Sequence, residues 1–249
     1  MNHILYKIEL KTETGLHIGA GNDALRIGGV DSEVIKNNNG EPYIPGSSLK
    51  GKIRFLLEQY AGIRKIRAEN SNDGSPLKIE DCKSNNITKE QRLLCEYILK
   101  MFGIGNCKDN STKEMYGYSR LLFRDFKLKS TANINDILEV KAENTINRQT
   151  GKVDKDGGSV RFIERVTNDI VFEGDIVLRL NDDETPNIYE KVLFFGLHLL
   201  EYDALGGSGS RGYGQIKIEK VKKEISFDNN SKEMIEDYKN PTDILKDLK

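Results

Sequence analysis

Six stretches of this chain follow one another in an order that limits its folds more than any other feature. Residues 4–10, ILYKIEL, alternate apolar and polar side chains as a half-buried strand does, with Ile4, Tyr6, Ile8 and Leu10 on one face. Behind Pro45 and Gly46, Ser47 or Ser48 opens a helix whose stripe of Leu49, Ile53, Leu56, Leu57 and Tyr60 fits the helical period. Strand character returns at 118–128 and again at 170–180, IVFEGDIVLRL, where Gly174 suggests a kink. A second amphipathic helix spans 187–203, and residues 215–225 close with a strand. Strand, helix, strands, helix, strand is the order of an α+β, ferredoxin-like fold.

Two segments interrupt that core. Residues 66–114 are mostly polar with one helical patch at 91–103, which reads as a partly helical insertion. In 129–168, VDKDGGS (153–159) reads as the tip of a protruding hairpin or loop, flanked by NRQTGK and RFIERV. The expected organisation is one domain over 1–227, followed by a charged tail, 228–249, as a peripheral helix or a disordered end.

Glycine and phosphate chemistry meet in three places. Gly46, Gly51 and Lys52 form G-x-x-x-x-G-K, but Ile53 stands where a phosphate-binding loop needs a Mg²⁺-binding Ser or Thr. A nucleotide hydrolase is therefore not expected. The same helix start, with Ser47, Ser48, Lys50, Lys52 and Arg54 nearby, offers free N–H groups and partial positive charge to one backbone phosphate. GGSGSRGYG (206–214) crowds glycines around Arg211, so backbone N–H groups and a guanidinium can share an anion. Two such seats suit a polymer better than a mononucleotide. Asp31 follows two glycines in a presumed surface loop, where it can ligate Mg²⁺, orient a ribose 2′-OH, or simply form a turn. His17 reads first as a hydrogen-bonded histidine at a strand end.

Charge and cysteine usage narrow the classes. With 38 Lys and Arg against 39 Asp and Glu, no global basic field recruits a nucleic acid, so cations must gather on one face. The longest apolar stretch, VLFFGLHLL (192–200), is too short to cross a bilayer. Residues 1–10 alternate instead of forming a signal-peptide core, so a cytoplasmic protein is expected. Cys82, Cys95 and Cys107 form no C-x-x-C pair; a structural zinc on them is conceivable, but buried or free thiols fit the loose spacing better.

Six motifs occur together: TGLHIGAG (14–21), GGVDSEVI (28–35), YIPGSSLKGKIR (43–54), AENTINR (142–148), RFIERV (161–166) and GGSGSRGYG (206–214). In this order they resemble the repeated backbone subunit of type III-A CRISPR interference (Csm) complexes, within the RAMP superfamily. The resemblance implies a ferredoxin-like core with a thumb-like hairpin at about 135–168. It implies copies that polymerise along a CRISPR RNA, beside other Csm subunits, and cleave complementary target RNA at each thumb with Mg²⁺ or Mn²⁺. The family's catalytic aspartate falls on Asp31, which would also hold the metal. Its guide contacts fall on His17, the helix start from Ser47 to Arg54, Asn144, Asn147, Arg148 and Arg161, and the loop carrying Gly207, Ser208 and Arg211. Glu33, Ala142 and Phe162 depart from the family pattern; Phe162 suggests an apolar wedge. Two alternatives stay open, a guide-binding scaffold without activity and a metal-independent guide-processing ribonuclease relying on His17.

Overall fold

The structure, a computed structural model, describes residues 2–21, 30–63, 74–104, 116, 118–129, 134–153, 160–225 and 232–234. Strand β1 (Asn2–Thr12) lies at the centre of an antiparallel sheet. It pairs along its length with β6 (Val171–Leu180) on one side and β7 (Ile216–Ile225) on the other. Strand β2 (Leu121–Phe123) adds beyond β6, where β3 (Lys127–Leu128) also pairs, and β8 (Lys232–Met234) adds beyond β7. The order β2-β6-β1-β7 is that of a ferredoxin-like core, with each neighbour antiparallel.

The alternation in β1 buries Ile4, Tyr6, Ile8 and Leu10 as expected. They face a core shared with Leu49, Ile53 and Leu57 of α1 (Gly46–Tyr60). Among the described residues, further α-helices are α2 (Ile79–Cys82), α3 (Lys89–Phe102), α4 (Ile134–Ile137) and α5 (Pro186–Glu201). Helices α1 and α5 cross closely at Gly196, where a Cβ would lie 2.6 Å from the Ile53 side chain. Gly174 produces no kink. It pairs in unbroken register with Ile8, and its missing side chain admits the Phe126 ring.

The insertion contributes to the core. Thr88 caps α3 by accepting from the Gln91 N–H while its own N–H donates to the Gln91 side chain. The helix then buries Leu94, Cys95, Ile98, Leu99 and Phe102. Cys82 and Cys95 are both buried free thiols, and the Cys95 neighbour together with burial pushes the Cys82 thiol up. Among the described residues no three His, Cys, Asp or Glu side chains gather as a metal site. Cys107 and most of the tail lie outside the described residues, as do 154–159, in the stretch expected to form the thumb tip.

A buried network ties β2 to α5. Glu184 accepts from Arg120 Nε at 3.0 Å, the Tyr189 hydroxyl at 2.6 Å and the Asn181 N–H at 2.9 Å. Burial alone would raise the Glu184 pKa, but these donors outweigh it and hold the carboxyl below its ordinary 4.5. A depressed folded value gives stability that is full above the unfolded value and disappears as pH falls through the folded one. Glu184→Gln should therefore lower the thermal midpoint at pH 7 and flatten its fall below about pH 4.5. Melts across that range check this; an equal deficit at every pH would assign Glu184 a purely packing role.

Candidate functional site

A two-stranded ribbon, β4 (Leu138–Glu143) and β5 (Arg161–Val166), projects between β3 and β6 in the chain and forms the thumb. It is rooted by backbone bonds along the edge of β5 that faces away from β4. Leu16 and Val166 exchange two at 2.8 Å, on the segment that follows β1. Ser32 bridges to Ile163 in the parallel sense, with the Glu164 N–H donating to the Ser32 carbonyl at 3.0 Å. The Glu164 carboxylate adds the Val34 N–H at 2.9 Å and Lys36 Nζ at 2.8 Å. This strip holds the Asp31 loop against the thumb base.

Asp31 itself is exposed and doubly tied to one residue. Its N–H donates to the Phe162 carbonyl at 2.9 Å, and its Oδ2 accepts the Phe162 N–H at 2.6 Å. Among the described residues its Oδ1 accepts no hydrogen bond. The ribbon register puts Val140, Ala142 and Phe162 on one face, and the Phe162 side chain is 48% exposed. A carboxylate and an exposed apolar side chain are thus joined through one residue, Phe162.

His17 is a buried, hydrogen-bonded histidine, as its sequence context reads first. It is 8% exposed, with Nδ1 at 2.6 Å from the Glu164 carbonyl and Nε2 at 3.1 Å from Ser32 Oγ. A carbonyl can only accept, so Nδ1 carries the proton, and in the neutral ring Nε2 accepts from the Ser32 hydroxyl. The His17 carbonyl receives the Gly207 N–H at 2.8 Å. Gly206, at φ +79°, lies so close that a Cβ would sit 2.2 Å from that carbonyl. The glycine at this turn is demanded by packing on His17 as well as by backbone conformation.

The glycine-rich loop continues through Ser208, itself left-handed at φ +59°, into a short 3₁₀ turn at Gly209–Arg211. Arg211 is largely exposed and reaches the thumb, donating to Glu143 at 2.7 Å. The Tyr213 hydroxyl and the Arg211 guanidinium hold the Glu143 carboxyl below its ordinary value. Lys141 and Arg165 lie over the Tyr213 ring at 4.6 and 4.8 Å. A cavity of about 820 Å³ opens beside the loop, lined by Lys52, Tyr202, Asp203 and Tyr213 among others. Lys52 therefore joins the loop, paired to Asp203 at 2.8 Å.

Several expected contacts lie elsewhere. Helix α1 begins at Gly46 with Pro45 as its cap, and neither Ser47 nor Ser48 caps it. The Gly46 N–H donates to Asp125 at 2.8 Å, so a carboxylate already faces part of the helix start assigned to phosphate. Gly46 is small because a Cβ would lie 2.5 Å from the Phe123 carbonyl. Lys50 turns inward to Ser119 Oγ at 3.0 Å and the Leu121 carbonyl, and burial, with Arg54 and Arg179 nearby, lowers its pKa. Arg54 is also internal, donating to Glu58 at 2.7 Å and to the Gly103 and Leu77 carbonyls. Both were expected at RNA; the structure uses Arg54 to fasten α1 to the insertion and Lys50 to fasten it to the start of β2.

Asn144, Asn147 and Arg148 lie beyond the end of β4, away from Asp31 along the thumb. The Asn147 side chain accepts from the Gln149 and Thr150 N–H groups at 2.9 and 3.1 Å, which shapes the turn there. Asn144, Arg148 and Arg161 are exposed and accessible to a ligand. Sequence reasoning did not single out Ser32, Glu143, Glu164 or Asp125. Their partners lie far along the chain, and no local spacing announces them.

The comparisons with known proteins agree with this architecture. The profile of the RAMP superfamily matches residues 9–217. A CRISPR system Cms endoribonuclease Csm3 from Methanocaldococcus jannaschii is 38% identical over 215 residues, covering 86% of this chain and 77% of the relative. Its namesake from Streptococcus thermophilus is 35% identical over 234 residues and 91% of each chain. Among solved structures, the Csm3–Csm4 subcomplex of the type III-A CRISPR-Cas interference complex aligns at TM-score 0.54 and 25% identity, covering 94% of this chain and 88% of that one. A type III-B Cmr-beta complex bound to cognate target RNA shares the fold at TM-score 0.56 and 15% identity, over 90% of this chain and 61% of that one. The chain belongs to the RAMP superfamily, in the family of the Csm3 proteins.

Proposed function

We propose that this chain is the repeated, guide-binding subunit of a type III-A CRISPR interference complex and that it cuts complementary target RNA at Asp31. The observation that carries this reading is the joint between Asp31 and Phe162, which sets an exposed carboxylate beside an apolar thumb face. A thumb that enters a guide–target duplex unstacks one target nucleotide. The freed ribose can then bring its 2′-OH in line with the adjacent phosphorus, which stacked A-form geometry prevents. Attack forms a new P–O bond, and the 5′-oxygen leaves with a proton. Orientation of this kind supplies up to roughly 7–11 kcal/mol in ideal cases.

Asp31 orients or deprotonates the attacking hydroxyl. Arg211, Ser208 and Lys52 face the guide side, where strong dependence on salt is expected because contacts to phosphate displace counterions. The donor set also suits a hard divalent cation, Mg²⁺ or Mn²⁺. Such ions are commonly held by one or two carboxylates together with substrate phosphates and water, without a dedicated protein cage. Asp31 Oδ1 points to that use, and the absence of a three-ligand cluster among the described residues is compatible with it. When bound, the cation would offset charge developing on the phosphate and the leaving oxygen.

The ribonuclease alternative built on His17 finds no support in the geometry, since both ring nitrogens are engaged inside the protein. The partners of the working complex are CRISPR RNA, target RNA, further copies of this chain and other Csm subunits, assembled in the cytoplasm. The test uses the reconstituted guide-loaded complex with end-labelled complementary RNA. Evenly spaced cuts in Mg²⁺ that vanish in EDTA are expected. Intact target in Mg²⁺ would leave the chain as a scaffold, and cuts that persist in EDTA would remove the metal from the reading.

A further inference from the structure

We infer that His17 is a positioning residue for the Asp31 carboxylate and does not grip RNA phosphate; this rests on Asp31 being the cleavage residue. The imidazole joins three segments at one ring and one carbonyl. Ser32, on Nε2, adjoins Asp31 in the chain. Glu164, on Nδ1, lies two residues after Phe162, whose N–H is bound to Asp31. Gly207, on the His17 carbonyl, belongs to the loop that carries Arg211. The Asp31 loop, thumb and glycine-rich loop are thereby held in one register, and a phosphate could reach a ring nitrogen only by breaking that junction.

The link tolerates either protonation state of the ring. If Nε2 gains a proton it donates to Ser32 Oγ, a hydroxyl that accepts as readily as it donates. Ser32 also keeps its backbone bonds to Phe162 and Glu164 whatever its side chain. The hydroxyl can therefore be removed without unzipping the thumb base, which separates positioning from folding.

The experiment measures single-turnover cleavage, guide affinity and target affinity in complexes carrying Ser32→Ala, Ser32→Thr or His17→Phe. Ser32→Ala should slow cleavage about 10-fold and His17→Phe about 100-fold, the scale of small misplacements in an active site. Ser32→Thr, which restores a hydroxyl, should cut within about 3-fold of the parent. Guide affinity should stay within about 2-fold and keep its salt dependence, whereas a lost phosphate contact would lower the logarithmic slope by about 0.7. A shallower slope with weaker guide binding and a normal rate once loaded would overturn the inference, as would unchanged rates in both Ser32→Ala and His17→Phe. If His17→Phe fails to assemble, the two Ser32 variants decide the matter. Persistent cleavage by an Asp31→Asn complex is a separate result, since it removes the carboxylate reading itself.

Discussion

Asp31→Asn is expected to slow target cleavage by about 10²–10⁴-fold, the range supplied by a positioned proton acceptor. The amide has nearly the shape of the carboxylate, and its oxygen can still accept the Phe162 N–H that Oδ2 accepts at 2.6 Å. Thumb and loop should therefore stay joined. Charge and proton affinity change, so the loss should fall on the chemical step while target affinity moves less than about 2-fold. Asp31→Ala removes the acceptor as well and should add a lower thermal midpoint to the same loss of cleavage. Single-turnover rates, filter binding and melts of the three proteins separate these effects. Parental cutting by the Asn variant would exclude the carboxylate.

The second large effect is on stability. Glu58 is 6% exposed and accepts from Arg54 Nε at 2.7 Å and the Leu77 N–H at 3.0 Å, binding α1 to the start of the described insertion. Glu58→Ala leaves the Arg54 guanidinium inside without its counter-charge. Breaking one partner of a buried pair costs about 3–5 kcal/mol, against a total of about 5–15 for a typical domain. At roughly 2–4 °C per kcal/mol for a chain of this size, the melting midpoint should fall by about 6–20 °C. Urea titration should show a lower midpoint with an unchanged slope. A loss under about 1 kcal/mol would mean that water reaches the pair and relieves it.

What could be seen in advance depended on whether the cause was local. The period in β1, the stripe in α1 and the length of α5 express which face is buried, and each is visible within about ten residues. The Asp31 assignment came from motif resemblance, because an exposed aspartate after glycines looks like any turn. Lys50 and Arg54 misled for a physical reason. Cations on the first turns of a helix read as solvent-facing, and only β2 packing on Lys50 and the insertion folding over Arg54 convert them into internal ties. Arg54 and Glu58 do stand four apart, yet that spacing gives a pair without its burial. His17 could be read as hydrogen-bonded but not to which groups, since Ser32, Glu164 and Gly207 are brought to it only by the closed fold.

The central place of β1 sets a timetable for synthesis. Lys11 pairs with Val171, and Thr12 with Ile216 on the other side. At roughly 5–20 residues per second, the ribosome needs on the order of 10–30 s between making β1 and making its first long partner. Until then the strand carries unpaired backbone on both edges and a bare apolar face, the conditions under which strands find wrong partners. Among the described residues, helix α1 is the next regular element made, and it lines the same core as Ile4, Tyr6, Ile8 and Leu10. In the nascent chain it is the earliest cover available to that face, so a weaker α1 should show first as aggregation during synthesis, before any defect appears in the finished protein.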